Sequence, residues 1–255
     1  MDKLAFTLLN STQEDFRSRQ MLTTDLANLS TIGFKRTFST VSRSLKIDGP
    51  GFDSRILRNV MPESGISLAP GPRIVTANPL DIAMNDSTVL GVTAPNGDLA
   101  FTRRGDMRVN SAGQLELGNG QKVRGENGLV NVPAGYGIEI AGDGSVYAAP
   151  PNSTAPAAQV RVGKLMLRDA SATPLERRLD GLLKPVGDNT PGGIDIKDGK
   201  ISPSITNGSL EGSQVSAFEA MTHLLDFSRS FESAMKIIKE TRSLDEAGAS
   251  MMKSA

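Results

Sequence analysis

The chain has 255 residues, with 28 Lys plus Arg against 28 Asp plus Glu and a formal net charge of zero. A neutral balance argues against a nucleic-acid protein, whose basic face raises the total. Cysteine and tryptophan are absent and His223 is the single histidine, which excludes disulfides, thiol nucleophiles and multi-histidine metal sites, and no apolar run approaches the length that crosses a bilayer.

The N-terminal stretch reads as a helix from about Asp2 to Ser30. Leu4, Leu8 and Leu9 mark one part of its apolar stripe, and Leu22, Leu26 and Leu29 another. Thr31-Ile32-Gly33-Phe34-Lys35-Arg36 reads as the helix exit: Gly33 can take the left-handed conformation that ends a helix, and Lys35 and Arg36 bring positive charge to the negative end of its dipole. The chain lacks the basic start, compact apolar core and small-residue cleavage site of a secretory signal. From Ser39 to Pro72 no period holds and Asp48-Gly49-Pro50-Gly51 is a turn cluster, so this part reads as a linker with short extended segments.

From Arg73 to about Ile205 the apolar period changes to two. Asn96-Gly97 lies between Thr88–Thr93 and Asp98–Thr102 and favours a two-residue type I′ hairpin turn. Asn119-Gly120 and Asp143-Gly144 separate further short alternating runs. Pro150 to Pro156 reads as an exposed loop, and Gln159 to Leu167 as one strand. Turns at Asp198-Gly199 and Asn207-Gly208 lead into the C-terminal run.

In that run Ala217, Leu224, Phe231 and Ile238 recur every seven residues, with Met221, Ser228 and Met235 between them. This is the 3.5-residue seam of a helix that faces a partner helix. Ser213 is the expected N-cap, and beyond Ile238, where the seam turns polar at Arg242 and Asp245, the helix is expected either to fray or to need a neighbour. The expected class is therefore α+β, with N- and C-terminal helices pairing as a coiled coil and bracketing a central all-β domain. The expected bounds are 1–36 for the N-terminal helix, 37–72 for the linker, 73–207 for the β-domain and 208–255 for the C-terminal helix.

No nucleophile elbow, H-E-x-x-H motif or phosphate loop is present. Asp81, Asp106 and Asp143 could in principle supply a pair of catalytic carboxylates, but each has a turn or strand-edge reading. His223 reads as a partly exposed helix residue. Arg104-Gly105-Asp106 spells a cell-adhesion tripeptide, placed between two strands.

Three ordered stretches resemble the rod and hook family of bacterial flagellar axial proteins. They are Leu26-Ala27-Asn28 with Thr31 and Gly33-Phe34-Lys35; Phe101-Thr102-Arg103-Arg104-Gly105-Asp106 with Val109, Gly113 and Leu115; and Leu210-Glu211-Gly212-Ser213-Gln214-Val215 with Arg229-Ser230-Phe231-Glu232. Asp25 and Gln214 stand where that family commonly has asparagine. Asn78 to Met84, followed by Val89-Leu90-Gly91-Val92, is similar to proximal rod subunits; the distal rod subunits carry a Gly-x-Gly-Phe-Phe stretch there. The resemblance implies a non-enzymatic structural subunit of the basal-body rod, without cofactor, metal, nucleic acid or small-molecule substrate. It implies export by the flagellar type III apparatus without a cleaved signal, assembly in the periplasm, and homo- and hetero-oligomeric contacts with other rod proteins. The terminal helices would form an inner tube around the export channel of a torque-transmitting shaft. The implied assembly residues are Leu22, Leu26, Ala27, Asn28, Leu29, Thr31, Gly33, Phe34 and Lys35 at the N-terminal end, with Leu210, Val215, Ala217, Met221, Leu224, Phe231, Met235 and Ile238 at the other. A distal rod subunit and a periplasmic enzyme acting on peptidoglycan remain the alternative readings.

Overall fold

The computed structural model describes residues 2–37, 41–47, 55–61, 65–150, 159–197 and 199–253. The Asp48–Gly51 turn, most of the Pro150–Pro156 loop, Asp198 and the side chains of Leu4, Leu8 and Leu9 lie outside the described set. The chain forms two compact units: Met1–Ala27, Ser39–Glu63 and Ser216–Ala255 make unit 1, and Asn28–Phe38 with Ser64–Val215 make unit 2.

Unit 1 holds helix α1 (Asp2–Ala27), strands β1 (Val41–Ile47) and β2 (Arg55–Met61), and helix α2 (Ala217–Lys253). β1 and β2 pair antiparallel from Val41↔Met61 to Ile47↔Arg55. α2 has 37 residues and is about 55 Å long at 1.5 Å per residue. Its N-cap is Ser216, whose hydroxyl accepts the Glu219 N–H at 3.4 Å. Ser-x-x-Glu at the start of a helix is the capping-box pattern. Ser213, the expected cap, instead accepts the Val215 N–H at 3.2 Å. Of the two outcomes expected beyond Ile238, fraying is not the one found, because α2 runs unbroken to Lys253.

Unit 2 holds β3 (Arg73–Val75), β4 (Ile82–Met84), β5 (Thr88–Thr93), β6 (Leu99–Thr102), β7 (Met107–Val109), β8 (Leu115–Leu117), β9 (Lys122–Gly125), β10 (Gly128–Leu129), β11 (Gly137–Ile140), β12 (Ser145–Ala149), β13 (Val160–Lys164), β14 (Leu167–Asp169), β15 (Leu175–Arg177), β16 (Leu183–Pro185), β17 (Ile205–Asn207) and β18 (Ser209–Glu211). Its main sheet has 9 strands in the order β15-β16-β6-β5-β9-β8-β7, with β10 beside β9 and β14 beside β5. β11, β12 and β13 form a second sheet, while β17 pairs with β4 and β18 with β3.

β5 and β6 show why this sheet forms where it does. On β5, Leu90 and Val92 face one apolar cluster with Leu115, Leu117 and Val123, whereas Val89 faces a second with Phe101, Leu175 and Leu183. A strand buried on both faces reads as a continuous apolar run, as Val89-Leu90-Gly91-Val92 does. Each fully buried Leu or Val contributes roughly 1.5–3 kcal/mol.

Five of the hairpins share one geometry. At Asn96-Gly97 the Ala94 N–H donates to Asp98 O and the Gly97 N–H to Ala94 O, each at 2.9 Å. This is a three-residue loop closed by a glycine at φ 88°, not the two-residue type I′ turn, which needs positive φ at both central residues. The same pair of bonds closes the loops ending at Gly113, Gly120, Gly144 and Gly181. The strand expected over Gln159–Leu167 is interrupted between β13 and β14. There Leu165 N donates to Gly144 O at 2.8 Å and Met166 N to Arg124 O at 2.9 Å, which carries the chain to the main sheet.

The expected α+β class built on a terminal coiled coil is corrected. The chain is mainly β-sheet, with a long C-terminal and a shorter N-terminal helix, and the helices do not close a coiled coil. Met221, Phe231 and Met235 of the expected seam are 57%, 53% and 41% exposed. The more shielded line on α2 runs through Ala220, Leu224, Phe227, Ala234 and Ile238. Two of its five positions, Ala220 and Ala234, are too small to serve as knobs.

Candidate functional site

The three stretches singled out in the sequence meet inside unit 2, at the carboxylate of Glu211. Glu211 ends β18, and the β18–β3 ladder aligns it with Arg73. Its Oε1 accepts Lys35 Nζ at 2.5 Å and Gly71 N at 2.8 Å, and its Oε2 accepts Arg103 Nε at 2.7 Å. Lys35, Arg103 and Glu211 are buried, at 1%, 1% and 3% exposure. Lys35 Nζ also donates to Ala69 O at 2.6 Å. The Arg103 guanidinium donates to Met84 O at 3.0 Å, to Thr88 O at 3.1 Å and to Asp86 O. Each charge is therefore both paired and hydrogen-bonded, the condition under which buried ions are tolerated.

The electrostatics follow from that geometry. Burial alone would raise the Glu211 pKa. The hydrogen bond and charge of Arg103, with hydrogen bonds from Lys35 and the Gly71 amide, outweigh it and hold the carboxyl below its ordinary value. Burial and the neighbouring Arg103 charge lower the Lys35 pKa, and Glu211 counters this in part. Removing the shared carboxylate from such a set should cost about 3–5 kcal/mol, because buried positive charge is left uncompensated.

Backbone bonds tighten the junction. Gly33 N donates to Glu211 O at 2.7 Å, Gln214 N to Phe34 O at 3.0 Å and Gly212 N to Pro72 O at 2.8 Å. Arg36 N donates to Gln214 Oε1 at 3.1 Å, and Gln214 Nε2 to Ser67 Oγ at 3.0 Å. The Arg177 guanidinium lies 4.0 Å from the centroid of the Phe34 ring, a favourable cation–π arrangement, and donates to Lys35 O. Asn28 and Thr31 form the turn after α1, with Thr31 Oγ1 donating to Asn28 Oδ1 at 3.1 Å.

The junction thus brings together Thr31, Gly33, Phe34 and Lys35 with Leu210 and Val215. Leu22, Leu26, Ala27, Ala217, Met221, Leu224, Phe231, Met235 and Ile238 belong to unit 1. There Leu22 is buried, Leu26, Ala217, Leu224 and Ile238 are partly buried, and Ala27 is exposed along with Met221, Phe231 and Met235; Leu29, in unit 2, is also exposed. Arg103 and Glu211 were not among the expected site residues. Their signal was charge inside otherwise apolar or glycine-rich motifs, but nothing local reveals a contact across 108 positions.

The carboxylates considered for catalysis are engaged structurally. Asp81 accepts Asn78 Nδ2 at 3.1 Å, and Asp143 accepts the Ser145 N–H at 3.0 Å and its hydroxyl at 2.9 Å. Asp106 takes a bidentate pair from Arg104 at 2.5 and 2.6 Å, so the two charged ends of the adhesion tripeptide are bound to each other. A polar cleft is lined by Glu126, Asp143 and Asp195. Glu126 and Asp195 both close on Arg168, at 2.8 and 2.9 Å, so these two carboxylates are held in structural ion pairs. Among the described residues no cluster of three potential metal ligands occurs and no helix is long and apolar enough to cross a membrane.

Comparison with known proteins matches residues 83–148 to the family described as flagellar hook protein FlgE/F/G D1 domain, and residues 206–251 to flagellar basal body rod FlgEFG protein C-terminal. Arg103 lies in the first span and Glu211 in the second. The chain is 33% identical over 242 residues to the flagellar basal-body rod protein FlgF of Salmonella typhimurium, covering 93% of each chain. It is 30% identical over 252 residues to FlgF of Escherichia coli, covering 97% of this chain and 96% of the relative. The flagellar basal-body rod protein FlgG of Buchnera aphidicola subsp. Baizongia pistaciae is 27% identical over 245 residues, covering 86% and 87%.

Proposed function

The chain belongs to the FlgF family of flagellar basal-body rod proteins, and from that premise we propose that it is a non-enzymatic structural subunit of the bacterial flagellar rod. In this reading it occupies the proximal rod and contacts copies of itself and other rod proteins. It reaches the periplasm through the flagellar export apparatus without a cleaved signal. The N-terminal residues 1–36 and the C-terminal residues 208–255 contribute to the inner wall of the shaft, and the β-rich part lies outside it.

The observation that carries the reading is the surface of α2. Phe218, Met221, Leu225, Phe231 and Leu244 are all more than half exposed along one helix. Phe218, Met221 and Leu225, three and four residues apart, share one face of the helix; an exposed apolar patch marks an interaction site, and a helix of a neighbouring subunit fits it. Met221, Phe231 and Met235, exposed in the subunit, are the expected assembly residues of α2 left free to meet neighbouring helices.

The test is a chain ending at Ser216, which keeps the Glu211 junction and removes α2, expressed in place of the full chain. Basal bodies whose rods stop short while the subunit is still exported support the reading. Complete rods and normal swimming would overturn it.

A further inference from the structure

Unit 2 contains two buried cations that depend on a carboxylate arriving from the far end of its sequence. We propose that Glu211 is a closing latch: unit 2 holds its closed fold only when that carboxylate sits between Lys35 and Arg103, so a chain interrupted before residue 211 cannot keep the unit closed.

Three observations carry this. First, the contacts are strongly non-local, with Lys35 176 positions and Arg103 108 positions from Glu211. Secondly, the cations' other acceptors are neutral carbonyls, Ala69 for Lys35 and Met84, Asp86 and Thr88 for Arg103. Among the described residues Glu211 is the one carboxylate paired with either cation. Thirdly, the strands that deliver it close the unit end to end. β18, its last strand, pairs with β3, its first, and β17 pairs with β4.

The physics makes closure conditional. Joining distant segments costs chain entropy before any contact repays it. Without residue 211, completing the carbonyl shell around Arg103 would strand a guanidinium in a dry site, an arrangement proteins avoid. The arginine then stays hydrated, which keeps the Met84–Thr88 turn from wrapping it. That turn leads directly into β5, near the centre of the main sheet, so the open state extends beyond the last ladder. One acid thus reports to the whole unit that the chain is present through its last strand. The inference is independent of the rod assignment.

The test compares full-length wild type with Glu211→Gln, Lys35→Met and the double variant Lys35→Met/Glu211→Gln by native-state hydrogen exchange. Glu211→Gln should speed exchange of the Ile74 and Leu210 amides by roughly 100-fold or more, as expected for an uncompensated buried charge. Lys35→Met alone should stay close to wild type. The double variant, with one stranded cation instead of two, should recover about tenfold or more of the lost protection. Should Glu211→Gln fail to fold, folding of the double variant supports the latch. Failure of both, a double variant no better than Glu211→Gln, or wild-type protection in Glu211→Gln overturns it. Pulse-labelled refolding of the wild type adds a second reading: β5, β6 and β9 should gain protection in the same phase as Leu210, and earlier protection of those strands overturns the proposal.

Discussion

Gly33 and Arg103 are in backbone contact: a Cβ built on Gly33 falls 2.4 Å from both the carbonyl carbon and the carbonyl oxygen of Arg103, and the Gly33 φ is +68°. Gly33 is therefore fixed twice over, by its left-handed backbone and by the closeness of the segment it crosses. Gly97 has a similar φ of +88° with nothing within 4 Å of its missing Cβ. Gly97→Ala should cost about 1 kcal/mol, the left-handed backbone term alone. Gly33→Ala should cost about 3 kcal/mol, since overpacking adds to it. Urea unfolding midpoints of the two variants separate the contributions, and equal losses would mean that the contact carries no weight.

Stability should fall on the acid side with a steepness that Glu211 helps to set. Its pKa is lower folded than unfolded, so its contribution is full above the ordinary value of 4.5 and drains away as pH drops through the folded value. Asp143, held down chiefly by the Ser145 amide, and Asp188, held down chiefly by the Thr190 amide, act in the same direction from an ordinary 3.8. Lys35 works on the alkaline side: depressed below 10.5, it burdens the fold while charged, and that burden lifts as pH rises towards 10.5. Unfolding free energies measured from pH 3 upward should show a shallower acid limb in Glu211→Gln than in wild type.

Leu225 is 61% exposed on α2. Leu225→Ala should change the stability of the purified subunit by less than about 0.5 kcal/mol, as surface substitutions do, yet reduce rod assembly in complemented cells. A large drop in melting temperature would place Leu225 in the subunit's own packing instead.

Ser216→Ala should cost about 1 kcal/mol through loss of the α2 N-cap. The loss should be visible as reduced helical signal at intermediate urea concentrations.

The turns of unit 2 were legible because a glycine after Asn or Asp marks a left-handed position at Gly97, Gly120 and Gly144. Their three-residue length was not, since it depends on how the flanking strands twist together. Ser111-Ala112-Gly113 forms the same loop with weaker local chemistry, and Asp180-Gly181, which carries the same signal as Asp143-Gly144, went unread. On α2 the period was read but the face was displaced, because Ala220 and Ala234 sit beside Met221 and Met235 and a pattern of apolar residues does not choose between neighbours. The Glu211 junction was the least accessible part. All three charged residues lay in quoted motifs, but their meeting depends on the β3–β18 and β4–β17 ladders, which no local period encodes.

The junction also decides where this chain can vary in length. Thr37 bridges Ile66, Ser67 N donates to Arg36 O at 3.0 Å, and Gln214 N donates to Phe34 O at 3.0 Å. The chain's departure after Thr37, its return before Ile66 and its exit after Gln214 therefore lie beside one another, like stitches drawn through a single eyelet. A segment between Phe38 and Ser64 could be lengthened, shortened or exchanged without shifting the register of one strand in the β-unit. Evolution, or a protein engineer, would find here a socket for new sequence that the remainder of the unit does not have to accommodate.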